Sequence, residues 1–192
     1  MMENLIPAWI DNRLSPFDKL ETHRLGLRHK AVSVFIIRGR ETLIQRRALT
    51  KYHTPGLWAN TCCTHPHWGE PSALCASRRL HEELGISEID LQYCGKVEYR
   101  ASVGNGLVEN EVVSIFRGEA TQSTAVDPNL EEVMEVRWIA LNDLMQQVEE
   151  RPEKFTPWLR IYVQQHLDLI LDGTDPAVRP VDHQTVPGAD KV

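Results

Sequence analysis

No apolar run among the 192 residues approaches the roughly 20 needed to span a bilayer, so no membrane-crossing helix is expected. The stretch "MMENLIPAWIDNRLSP" has no basic start followed by a long apolar segment, which argues against a secretory signal. Positive charge is not in excess: the formal net charge is -6, and non-specific nucleic-acid binding wants a basic face. A small basic pocket for a phosphorylated substrate stays open. Cysteine is sparse, at four residues, and no Cys-x-x-Cys occurs. Cys62 and Cys63 are neighbours, an arrangement that rarely forms a disulfide. Reduced thiols and a cytoplasmic location are therefore expected, with no nucleic-acid or membrane partner. Internal repeats are also missing.

What is present suits a globular protein. Hydrophobic residues make up 42% and charged residues 25%, and a chain this long buries a core without disulfides or a structural metal. One domain over residues 1–172 is expected, as a monomer or weak homodimer. The tail, 173–192, has three prolines and little apolar content, which predicts disorder.

Local patterns predict the elements. "AVSVFIIR" (31–38) is rich in β-branched residues and reads as a strand, Gly39-Arg40 as a turn, and "TLIQRR" (42–47) as the returning strand. Residues 48–70 read as a long loop, and loops of that length are usually functional. A helix is expected between Pro71, as its first residue, and Gly85 just past its end. Its inner face would carry Leu74, Ser77, Leu80, His81 and Leu84. "LQYCGKVEYRA", "ENEVVSIFRGEA" and "EVMEVRWIA" read as strands, and "LNDLMQQVEE" as a short helix capped by Asn142. A last helix would start at Thr156-Pro157 and end at Gly173, with Trp158, Ile161, Tyr162, Gln165 and Leu169 inward. The sum is an α+β or α/β/α sandwich with a mixed, largely antiparallel sheet.

Several groups could carry chemistry. Glu109 and Glu111 stand two apart in a strand, so their carboxylates share one face. Such a pair needs a counter-cation or a proton unless it faces solvent. Cys63 and His65 have the same spacing, and His23 and His29 bracket "RLGLR" before the first strand. Histidines with carboxylates make a plausible divalent-metal site if the fold joins these segments; singly, each is an ordinary polar residue. Cys62-Cys63 reads either as two buried thiols or as one reactive thiol beside a buried one. Cys75 and Cys94 read as buried small apolar residues. Arg46, Arg47, Lys51, Arg78 and Arg79 either clamp phosphate oxygens or simply solvate a surface.

Taken together, "KLETHRLGLRHKAVSVF", "RRALTKYHTPGLWANTCCTHP", "RRLHEELG" and "YRASVGNGLVENEV" closely resemble the type I isopentenyl-diphosphate isomerases, a branch of the Nudix fold. The resemblance covers roughly Lys19 to Leu171. "RRLHEELGI" is similar to the Nudix run Arg-Glu-apolar-x-Glu-Glu-x-Gly-apolar, with Arg79 in place of its first glutamate. Glu70 falls at the upstream glutamate of that pattern, and Thr64 at its glycine. A cation at position 79 suits holding a diphosphate and weakens a rival reading, hydrolysis of a nucleoside diphosphate. A second rival is a non-catalytic metal-binding or regulatory module.

The resemblance implies roles. His23, His29, His65, Glu109 and Glu111 match a divalent-metal site for Mn2+, Mg2+ or Zn2+. Glu83 matches a ligand of a Mg2+ that also touches the substrate diphosphate. Cys63 matches the active-site cysteine, Glu111 the catalytic glutamate and Tyr99 the tyrosine beside it. Lys19, Arg47, Lys51 and Arg79 match diphosphate-binding positions, and Trp158 an aromatic over the hydrocarbon end. The implied reaction interconverts isopentenyl and dimethylallyl diphosphate by protonation and deprotonation through a tertiary carbocation-like state.

Overall fold

A computed structural model describes residues 4–172; the expected tail lies outside the described residues. The chain starts with a hairpin, β1 (Leu5–Ile10) and β2 (Arg13–Asp18), then a short helix, α1 (Lys19–Leu25). The sequence reading had not assigned this segment. Its turn, Asp11-Asn12, takes φ of 48° and 64°, the left-handed pair of a two-residue turn that matches strand twist. Asp18 caps α1 through the Glu21 amide at 3.0 Å. Gly26 ends α1 at φ 60°, a conformation costly for a side chain. That turn brings His29 back beside His23.

The central strand is β3 (His29–Arg38), followed by β4 (Glu41–Arg47). Residues 48–70 are not wholly loop, as expected, but contain β5 (Trp58–Ala59) and β6 (Cys62–Thr64). Next come α2 (Ser72–Leu84), β7 (Leu91–Ser102), β8 (Val108–Glu119), β9 (Val133–Ala140) and α3 (Leu141–Glu150). α4 (Pro157–Gln165) and α5 (Leu167–Asp172) finish the described chain. β3 and β8 run parallel over nine residue pairs, His29 opposite Glu111 to Ile37 opposite Glu119. β1, β4 and β6 meet β3 antiparallel, as β7 meets β8 and β9 meets β4. The mixed, largely antiparallel sheet is as expected.

Side-chain alternation divides the core in two. Val32, Val34 and Ile36 of β3 bury against Cys75, Ala76, Leu80 and Leu84 of α2. Phe35 and Ile37 face the other way, toward Leu144 of α3 and Trp158, Leu159 and Tyr162 of α4. Each large aliphatic so buried contributes about 1.5–3 kcal/mol. Leu74, Ser77 and His81, expected inside, are exposed, Leu74 by 63%: α2 turns its small residues Cys75 and Ala76 to the sheet, which lets the backbones approach. α2 starts one residue later than expected, with Pro71 as its cap and not its first residue, and Gly85 ends it at φ 66°.

Asn142 does not cap α3. The helix starts at Leu141, directly after β9, and the Leu141 amide donates to Arg40 O at 3.0 Å instead. Thr156 does cap α4, accepting from the Leu159 amide at 3.4 Å, a contribution of about 1 kcal/mol. The last helix breaks at His166 into α4 and α5, and Gly173 lies outside the described residues. No helix among the described residues is long and apolar enough to cross a membrane.

Candidate active site

β8 supplies two acids to one spot. Glu109 and Glu111 share the strand face that further along carries core residues Val113 and Ile115. They are 2% and 7% exposed, while Asn110 points away and donates to Gly26 O at 3.0 Å. Two buried carboxylates side by side are unstable without compensating positive charge. Imidazoles from separate elements crowd around them. Nε2 of His23 (α1) and of His29 (β3) lie 3.0 and 3.3 Å from Glu109 Oε2. Nε2 of His65, just past β6, lies 2.9 Å from Glu111 Oε1. Burial lowers His29, but the facing carboxylates of Glu109 and Glu111 outweigh it and lift it to about 10. Burial likewise pushes Glu109 up, and the facing imidazoles of His23, His29 and His65 overcome it and hold the group well below the carboxylate range.

The cluster fits a metal ion. His23 Nδ1 lies 2.5 Å from Lys19 O, and His29 Nδ1 lies 2.7 Å from Leu27 O. Those carbonyls accept a proton-bearing Nδ1, which leaves each Nε2 lone pair turned inward, the tautomer that ligating histidines use. Nε2 of His23 and His29, Nδ1 of His65 and Glu109 Oε2 are buried without a hydrogen-bond partner among the described residues. Donor atoms of His23, His29, His65 and Glu109 lie within 4.8 Å of one another, and Glu111 Oε1 adjoins them.

β6 explains the paired cysteines. Cys62 registers with Val34 and Cys63 with Ser33, so successive side chains enter opposite layers. Cys62 is fully buried in the α2-side core. Cys63 is half-buried on the α4 side. Its thiol donates to Asn60 Oδ1 at 2.7 Å and lies 3.2 Å from Ser33 Oγ. Asn60 Nδ2 donates to Val34 O and Cys62 O, which leaves Oδ1 as the acceptor. Burial pushes the Cys63 thiol up, so it stays protonated at neutral pH. Tyr99, opposite Glu111 on β7, donates its hydroxyl to Glu111 Oε2. Cys63, Tyr99, Glu111, Glu109, Arg47 and Trp158 all line one cleft of about 280 Å3, its open mouth included.

A second cluster adjoins. Arg47 is 7% exposed, and its guanidinium carbon sits 5.3 Å from the Trp158 ring centre. Arg79 Nη2 is 2.5 Å from Glu83 Oε1 and 3.5 Å from Glu132 Oε2, and Lys51 also pairs with Glu132. Glu83 is buried and accepts from Gln45 Nε2 at 2.9 Å. Burial and then the Arg79 charge lower Lys19; burial pulls Lys51 down to about 8. Four cations thus meet two carboxylates, Glu83 and Glu132, in one small region.

The fold thus brings the metal, cysteine and diphosphate candidates into two adjoining clusters, but not Arg46, which pairs with Glu135, or Arg78, which pairs with Glu70 and Glu82. Missed were His53, Asn60, Ser33, Tyr162 and Gln45. His53 and Asn60 lay inside the quoted "KYHTPGLWANTCC", where a histidine in a loop expected to be functional was a usable signal. Ser33, Tyr162 and Gln45 carry none, since each looks like an ordinary strand or helix position.

Comparison with known proteins agrees with this geometry. The NUDIX domain model matches residues 27–159. Among solved structures, a Deinococcus radiodurans protein superposes with TM-score 0.68 at 11% identity, covering 84% of this chain and 98% of that one. A MutT NUDIX hydrolase from Burkholderia pseudomallei gives TM-score 0.56 at 23% identity, covering 72% and 98%. At those identities the likeness concerns the fold. The isopentenyl-diphosphate Delta-isomerase of Dinoroseobacter shibae is 62% identical over 169 residues, 88% of this chain and 96% of its own. That of Cereibacter sphaeroides (strain ATCC 17025) is 60% identical with the same coverage. The chain belongs to the Nudix family and, within it, to the isopentenyl-diphosphate Delta-isomerases.

Proposed function

We propose that this chain interconverts isopentenyl diphosphate and dimethylallyl diphosphate, a step of isoprenoid biosynthesis. One observation carries the reading most: the Cys63 thiol and the Tyr99–Glu111 pair line the same small cleft, and the cation cluster lies beside it. The relatives' names point to the same chemistry.

Moving the double bond requires a proton added at C4 and one lost from C2, through positive charge at C3. An alkene is a feeble base, so both proton-handling groups must be fixed against it in a dry site. Cys63, aimed by Asn60 and Ser33, serves one carbon. Glu111, with the Tyr99 hydroxyl on its Oε2, serves the other. By microscopic reversibility, the donor in one direction is the acceptor in the other. Trp158 offers an aromatic face to the developing cation, worth about 0.5–2 kcal/mol. Lys19, Arg47, Lys51 and Arg79 hold the diphosphate and so place the hydrocarbon end.

His23, His29, His65, Glu109 and Glu111 would hold one divalent cation, Mn2+, Mg2+ or Zn2+, and Glu83 would bind a Mg2+ linked to the diphosphate. When bound, such a cation lowers the pKa of nearby proton donors and neutralises charge. Metal dependence follows.

Purified protein with Mg2+ and isopentenyl diphosphate should form dimethylallyl diphosphate until the two isomers reach equilibrium. Release of phosphate from nucleoside diphosphates without isomerisation would replace this reading with hydrolysis.

A further inference from the structure

Glu109 has two oxygens with different company. Oε2 faces Nε2 of His23 and of His29, at 3.0 and 3.3 Å. Oε1 lies 3.2 Å from Nε2 of His53, a residue 4% exposed and outside the set of donor atoms that converge within 4.8 Å. A carboxylate with both oxygens free to rotate presents a metal with a poorly defined ligand. We infer that His53 is a positioning residue for the metal site: its Nε2–H holds Glu109 Oε1, which turns Oε2 toward His23 and His29.

The surroundings of His53 fix which ring nitrogen carries the proton. Oε1 of a carboxylate only accepts, so Nε2 must donate. Nδ1 is then the acceptor, and Thr54 Oγ1 lies 3.1 Å from it, with a hydroxyl able to donate. Thr54 has φ 46°. That left-handed conformation is a genuine outlier for a β-branched residue, and it persists only where surrounding structure enforces it. Here it sets the threonine hydroxyl against the imidazole. The ring also stands edge-on to Trp158, with centroids 5.9 Å apart at 85°, and the His53 carbonyl accepts from Arg47 Nη2 at 3.2 Å. One residue therefore ties the metal carboxylate to the aromatic wall of the cleft and to the cation cluster. Partners that orient ligands in this way change metal affinity by about 10–100-fold when removed.

The inference rests on the metal reading of the histidine–glutamate cluster, and the test separates the two. The chelator-stripped full chain is titrated with Mn2+ by calorimetry, and the melting temperature without metal is recorded alongside. His53→Phe should weaken Mn2+ binding by about 10-fold or more with the metal-free melting temperature unchanged. His53→Gln, which keeps an N–H at similar reach, should restore most of that affinity. Wild-type affinity in His53→Phe would overturn the inference, and so would equal losses in Phe and Gln. Should His53→Phe not fold, Thr54→Val carries the test by removing the hydroxyl alone. Weakened Mn2+ binding there supports the inference, and wild-type affinity overturns it. Wild-type protein that binds no Mn2+ would overturn the metal reading and the inference with it.

Discussion

The two halves of the site are electrical opposites built from neighbouring elements. On one side, two buried carboxylates of β8 collect imidazoles; this half lacks positive charge. On the other, Lys19, Arg47, Lys51 and Arg79 surround Glu83 and Glu132, and burial depresses both lysines; this half lacks negative charge. The contrast teaches how one small cleft handles a substrate with a charged end and a greasy end. On the proposed function, the cationic half would fix the diphosphate by Coulomb attraction, and the acidic half, with Cys63 lining the same cleft, would do proton chemistry at the apolar end.

Substitutions should separate the halves. Cys63→Ala and Glu111→Gln should each lower kcat the most, by about 10²–10⁴-fold, with the circular-dichroism spectrum preserved. Near-normal turnover in either would end the division of labour. Stripping divalent cations with a chelator should likewise abolish turnover, and added Mg2+ or Mn2+ should restore it. Arg79→Gln strikes the other half. It should raise KM by roughly 10–100-fold, the size of a lost charge-assisted hydrogen bond, and change kcat less. A fall in kcat at constant KM would break the comparison.

Lys51 predicts a pH effect. With its pKa at about 8 in the free protein, it is charged below that pH and neutral above it. Substrate affinity should be flat from pH 7 to 8, then fall by roughly tenfold toward pH 10 as the charge is lost. Lys51→Met should remove that inflection. The smallest effect belongs to Cys62→Ala, which removes a core sulfur on the far side of β6 and should leave kcat nearly unchanged.

Much of this was legible in the sequence, for reasons that differ by residue. The spacing of Glu109 and Glu111 and of Cys63 and His65 is a period of two, which any extended chain converts into a shared face. Register then decided what spacing could not: β6 pairing with β3 places Cys63, not Cys62, in the cleft. That three-residue strand was invisible because it is too short to show a periodicity. Leu74 misled because helix periodicity counts large apolar residues, while α2 packs through Cys75 and Ala76. The convergence of α1, β3, β6 and β8 on one cluster is a long-range property, and only the resemblance to known motifs anticipated it. His53 escaped because its partner, Glu109, lies far along the chain.

The central claim is that solvent-exchangeable protons on Cys63 and on the Tyr99–Glu111 pair enter and leave the substrate carbons. It is tested most directly by converting isopentenyl diphosphate in deuterated water and reading the product by nuclear magnetic resonance. The account predicts deuterium in the dimethylallyl methyl group derived from C4. Dimethylallyl diphosphate formed without solvent deuterium would contradict it.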